Sequence, residues 1–257
     1  YEITTRLVGS EMCIRDSVLT GKVCPSGKLN ETYPLHYEDT PAYEYYPSKE
    51  RSSEYREGLY VGYRYYTTVG KKVRFPFGFG LSYTTFTYRD LTVDPEGVKF
   101  KIQNTGTVAG TEIAQLYVGK ESDSVFRPLR ELKGFARVEL APGEEKEVKI
   151  LFDDKTFRFY DTRTDSWEVE TGTYQIMIGS NAEEMLLEGS LAVNGTVTEG
   201  GYSRESLPEY FNGEIKNISD DTFRRLYEEG KVREEKEYAL FHTGPVSYTH
   251  LTLPTKA

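Results

Sequence analysis

Carboxylates are the most numerous groups in this 257-residue sequence able to do chemistry, with 41 Asp+Glu against three His and two Cys. Four of them, Asp161, Asp165, Glu168 and Glu170, cluster around the only tryptophan, Trp167. Two carboxyl groups, one donating a proton and the other acting as nucleophile or base, can break a glycosidic bond. The spacing here argues against that use. The four residues alternate with strand and turn residues, which predicts a solvated strand edge, and surface carboxylates are seldom catalytic. Asp153-Asp154 reads as a turn.

Nucleophilic catalysis is no better supported. Cys24 precedes Pro25 in a turn, and Ser82 lies in FGLSY without the flanking glycines of a nucleophile elbow. His36 and His242 are isolated, and no Cys/His cluster has zinc spacing. Gly78-Phe79-Gly80 lacks the Lys-Ser/Thr and the following helix of a phosphate loop. The sequence therefore predicts no catalytic residue, no metal ligand and no cofactor-binding residue in this chain. Tyrosine is the outlier, at 21 residues. Tyr43, Tyr45, Tyr46, Tyr55, Tyr60, Tyr63, Tyr65 and Tyr66 suit either sugar stacking or an inter-domain seam. The seam is favoured, because an apolar ring with a polar tip seals such a boundary. Trp167 is expected in a core.

The elements that must position these groups follow from periodicity. From residue 88 to 194, short strands alternate with turns: 98–102, 112–118, 131–140, 146–152, 167–170, 174–178 and 185–193. Asn104-Thr105-Gly106 and Pro142-Gly143 are turn signals, and Val148, Ile150 and Phe152 share one face. This regular spacing predicts a β-sandwich. Upstream, residues 33–56 read as an extended surface segment and residues 58–66 (GLYVGYRYY) as a strand. Residues 75–86 (FPFGFGLSYTTF) read as a packed irregular loop running into a strand. Residues 195–213 are polar, a linker by composition. Residues 219–240 read as a helix capped by Ser219, with Phe223, Leu226 and Tyr227 as an apolar stripe that Gly230 interrupts.

A net charge of −9 argues against nucleic acid, whose binders carry a basic footprint. No apolar run approaches the ~18 residues that would span a membrane. The 14% aromatic content argues against disorder. The two ends read as foreign. A DNA element encoding Met12-Cys13-Ile14-Arg15-Asp16 encodes, on its opposite strand, Val246-Ser247-Tyr248-Thr249-His250. Residues 6–17 and 246–257 thus resemble translated sequencing-adapter DNA, which leaves Cys24 as the one natural cysteine and places the natural start elsewhere.

Six motifs then carry a resemblance. Asn30 apart, residues 25–34 (PSGKLNETYP), with residues 55–66 (YREGLYVGYRYY) and 75–86, resemble consecutive motifs of the family 3 glycoside hydrolases, the β-glucosidase and β-xylosidase group. Residues 127–135 (RPLRELKGF), 140–144 (LAPGE) and 167–179 (WEVETGTYQIMIG) resemble the fibronectin type III-like domain of that family, and residues 207–240 resemble a tail that follows it. The resemblance implies a mainly β chain: an immunoglobulin/fibronectin III-like β-sandwich, preceded by the C-terminal remnant of an α/β-sandwich domain and followed by a short helical tail. The corresponding boundaries are a foreign leader at 1–17, the remnant at 18–87, the sandwich at 88–194, linker and helical tail at 195–245, and an adapter-like tail at 246–257. It also implies a retaining parent enzyme acting on β-glucosides. Its aspartate nucleophile and glutamate acid/base would lie upstream of this sequence, so no catalytic residue is carried over, Glu57 included. The partners implied are the missing upstream catalytic domains; no cofactor, nucleic acid or membrane is expected. The alternative is a stand-alone carbohydrate-binding or adhesion module. Residues 18–87, a truncated sheet, are expected to expose an apolar face.

Overall fold

The computed structural model describes residues 15–44, 54–197 and 201–229. Tyr45, Tyr46, His242, residues 6–14 of the leader and the adapter-like stretch 246–257 lie outside the described residues. Residues 25–44 run as loops and turns with one short strand, β1 (Tyr33–Pro34). The stretch expected as a strand at 58–66 instead turns through residues 56–59 and enters helix α1 (Tyr63–Thr68). Gly62, at φ +59°, makes the entry turn, and Tyr65 and Tyr66 are both buried. A strand would send those neighbours to opposite faces. The aromatic richness that suggested a strand reflects burial rather than backbone preference. Strand β2 (Val73–Phe75) then pairs antiparallel with β1.

The expected β-sandwich is present, its strands running from Phe86 to Val193. Its strands are β3 (Phe86–Asp94), β4 (Gly97–Asn104), β5 (Gly110–Gly119), β6 (Glu131–Leu140), β7 (Glu145–Leu151), β10 (Gly172–Gly179) and β11 (Met185–Val193), with a hairpin of β8 (Arg158–Asp161) and β9 (Ser166–Val169) between β7 and β10. One sheet has the order β3-β4-β7 and the other β11-β10-β5-β6, all pairs antiparallel. Alternation sends Val98, Phe100, Ile102, Val148 and Ile150 from the first sheet toward Ala114, Leu116, Val118, Ile176 and Ile178 of the second. At the end of β4, Asn104 is fully buried and its amide donates to the carbonyls of Val108 and Leu140, at 2.8 and 3.1 Å. That satisfies backbone oxygens where two strands end.

Trp167 is not in this core. It lies on β9, in the hairpin outside both sheets, and is 57% exposed. A hairpin of two four-residue strands has no second sheet to cover it, so one face stays in solvent.

The stretch read as a polar linker at 195–213 also contains structure. Helix α2 (Pro208–Asn212) starts at a proline, which suits a first turn, and ends at Gly213 in the left-handed conformation. Leu207, Tyr210 and Ile215 are fully buried against Tyr60, Tyr65 and Tyr66, forming a second core. Helix α3 (Asp220–Glu229) follows. Its N-terminus is capped as expected: Thr222 N–H donates to Ser219 Oγ at 3.1 Å. Phe223 and Leu226 pack on the second core.

Candidate functional site

The four clustered carboxylates do not converge on a cleft. Asp161 is 3% exposed, held by the guanidinium and backbone N–H of Arg163. Burial alone would raise its pKa, but the Arg163 contacts outweigh burial and hold the carboxyl below the usual range. Glu168 accepts from the Thr196 and Ser166 hydroxyls, which also lower its pKa. Glu170 sits between Lys120 at 3.2 Å and Arg127 at 2.9 Å. Asp165 accepts from Tyr160 Oη at 2.5 Å. The expected solvated edge is thus only partly solvated: Asp161 and Glu170 are locking groups inside the fold. Cys24 and Ser82 face each other at 3.3 Å. In the Gly78 loop, the N–H of Gly78 donates to Leu29 and that of Leu29 to Phe79, at 2.7 and 2.8 Å, so these donors bind chain rather than phosphate.

The tyrosines divide. Tyr55 is exposed, whereas Tyr60, Tyr65 and Tyr66 are buried in the second core. Tyr63 belongs to a seam between the segment 60–80 and the sandwich. The outer face of β5 and β10 presents Tyr117 and Met177 there, because their neighbours at alternate positions already fill the inner core. The Tyr63 ring lies 4.9 Å from Phe77 and 5.9 Å from Tyr117, the latter edge to face. Its hydroxyl accepts from the Leu132 N–H at 2.8 Å. Tyr117 Oη donates to Gln115 Oε1 at 2.6 Å, and Gln115 Nε2 donates to the Ser180 carbonyl at 2.9 Å. The Ala182 N–H donates to the Phe77 carbonyl at 2.9 Å, and Leu129 N–H to Thr68 Oγ1 at 2.9 Å. Lys28 pairs with Glu112 at 2.9 Å. The hydroxyls of Tyr63 and Tyr117 and the Gln115 amide each have a partner, as buried polar groups at a seam require.

The other side of the same segment is open. Leu29, Tyr33, Phe75, Phe79 and Leu81 line an apolar groove of about 490 Å³. Leu81 is 71% exposed there. The geometry offers apolar contact area and no converging titratable groups. Among the described residues, no group of three or more His, Cys, Asp or Glu is placed to hold a metal ion. None of the described helices is long and apolar enough to cross a membrane.

Residues 112–182, strands β5 to β10, match the family model described as a fibronectin type III-like domain. The sequence is 47% identical over 188 residues to thermostable beta-glucosidase B of Acetivibrio thermocellus, covering 70% of this chain and 25% of that protein. It is 46% identical over 186 residues to probable beta-glucosidase K of Emericella nidulans, covering 72% of this chain and 22% of that one. The solved GH3 beta-glucosidase of Bifidobacterium adolescentis superposes with a TM-score of 0.67 at 33% identity, over 77% of this chain and 31% of that chain. Over about 70% of its length the chain is thus similar to a part of the family 3 beta-glucosidases. The solved beta-glucosidase of Kluyveromyces marxianus in complex with glucose superposes with a TM-score of 0.67 at 36% identity, over 72% of this chain and 23% of that one. The chain spans about a quarter of the length of the curated relatives it matches.

The sequence missed the buried partners of the seam. Gln115 and Tyr117 read simply as strand residues; in the second core, Leu207 and Tyr210 fall within the stretch 195–213 read as a linker, and Ile215 lies just beyond it. The signal for these three was present as apolar residues at i, i+3 and i+8.

Proposed function

We propose that this chain is the non-catalytic C-terminal portion of a retaining β-glucosidase, serving to hold upstream catalytic domains of the same polypeptide while those domains cleave β-glucosides. The observation that carries the reading is the apolar groove beside the seam. The segment 60–80 is fastened to the sandwich through Tyr63, Phe77 and Gln115, and its Phe79 lines the groove together with Leu29 and Leu81. An apolar surface of this kind is what a neighbouring domain covers. Residues 18–87 act in this reading as the end of an α/β-sandwich domain, residues 88–194 as the buttress, and residues 195–245 as linker and tail. Nucleic acid and membrane surfaces have no part in it.

A stand-alone carbohydrate-binding module working through Tyr63 and Tyr65 is not favoured, since Tyr65 is buried and the Tyr63 ring and hydroxyl are engaged. With purified chain and a chromogenic aryl β-glucoside, no turnover above background is expected. Hydrolysis that copurifies with the chain through successive columns would overturn the reading.

A further inference from the structure

We propose that the exposed face of the β8–β9 hairpin is a contact site for a neutral β-linked glucan, with the Trp167 indole as its stacking platform. The choice of sugar rests on the β-glucosidase reading; the site itself rests on the hairpin. Register pairs Tyr160 with Trp167, and alternation places Arg158 on the same face as both. Trp167 is 57% and Tyr160 45% exposed, with ring centroids 5.3 Å apart at 74°. Arg158 lies over one face of the indole, 4.2 Å from its centroid, and with Tyr160 packed against it the ring keeps 57% of its surface exposed.

The polar rim fits a polyol. Arg158 is paired with Asp154 at 2.9 Å, and Tyr160 Oη donates to Asp165 at 2.5 Å. An aromatic surface with a few fixed donors and acceptors is the general form of a small-molecule site. Both charge signs stand side by side here, so an ionic polymer of either sign meets repulsion, whereas sugar hydroxyls can bond to both.

The size also decides between occupants. Two four-residue strands give a face ~13 Å long and ~10 Å wide, roughly 130 Å², far short of the ~800 Å² per partner of a stable protein interface. It matches a short oligosaccharide laid along the hairpin.

The platform is held in place from beneath. Asp161 is locked by Arg163, the Val169 N–H donates to Thr196 Oγ1 at 3.0 Å, and Thr162 meets Tyr202 at 3.1 Å. Little freedom is left to lose on binding, which favours even a small contact.

Trp167 is the only tryptophan of the chain, so its fluorescence reports on this site alone. Titration of the chain with cellotetraose should give a saturable blue shift and protection from acrylamide quenching, with half-saturation near ~1 mM, the range of a weak contact. In gels containing soluble β-glucan the chain should be retarded. Trp167→Ala should abolish the retardation and Trp167→Phe should keep part of it, both with unchanged circular dichroism. An unaltered spectrum at saturating cellotetraose, or retardation that survives Trp167→Ala, would overturn the proposal. So would a spectral shift that follows protein concentration alone, which would mark contact between copies. The β-glucosidase reading fails separately, if the complete parent protein hydrolyses no β-glucoside while the cellotetraose response persists.

Discussion

At Gly78 the backbone adopts φ +81°, and a β-carbon there would meet the Gln115 amide. Both the conformation and the close approach require glycine. Gly78→Ala is expected to cost about 1–3 kcal/mol, read as a lower midpoint in urea denaturation. The buried tyrosines make a second prediction. Burial raises the pKa of Tyr66 to about 12, assisted by neighbouring Tyr65 and Asp39. Burial likewise raises Tyr60 and Tyr117. A folded-state pKa above the ordinary 10 means that the native chain keeps a proton the unfolded chain releases. The stability this confers is complete below pH 10 and declines as pH rises toward about 12. Urea midpoints should therefore fall over that window, with phenolate absorbance rising together with unfolding; a flat midpoint would contradict it. Residue types alone made the tyrosine excess visible and pointed to a seam. They could not reveal which tips would be satisfied by Leu132, Gln115 or Arg127, because those partners arrive from strands and loops far away in sequence.

Elements with strict alternation were legible. The sequence reading placed strands at 131–140 and 185–193, and β6 and β11 occupy those spans. Alternation there has one face buried and one wet, the condition under which period two is informative. The β5 strand is buried on both faces because the seam covers its outer side, so its pattern is a near-continuous run rather than an alternation. Helix α1 misled because it is short, aromatic and entered through Gly62. Helix α2 escaped notice because its apolar residues are embedded in polar ones, even though they are what attaches the tail. Replacement of Leu207, fully buried in the second core, tests that attachment. Leu207→Ala should destabilise by about 2–5 kcal/mol and increase binding of a hydrophobic dye at the exposed tyrosines. A variant with the parent's unfolding midpoint would show that the tail contributes nothing.

For the whole molecule, two cores of different build lead to unequal resistance. The sandwich core joins seven strands through hydrogen-bonded ladders, whereas residues 25–44 contribute one two-residue strand and several turns. Under limited proteolysis, cleavage should fall first within residues 18–59, leaving a protected fragment that contains 88–194. Equal survival of both regions, judged by mass spectrometry, would contradict the proposed partition. The sequence made the sandwich and the resemblance to a longer enzyme readable. It did not reveal that residues 56–66 and 207–220 meet in one core.

That meeting has a consequence for synthesis. Tyr60 Oη donates to the Tyr210 carbonyl, a contact between residues 150 apart. A ribosome adding ~5–20 residues per second needs roughly 8–30 s to cover that distance. For that interval the tyrosine face of α1 has been made but its cover has not, so the nascent chain carries a sticky surface past the point at which the sandwich strands emerge. The second core is therefore the last part to close, and a holding chaperone would have its best opportunity there, before Leu207 and Tyr210 leave the exit tunnel.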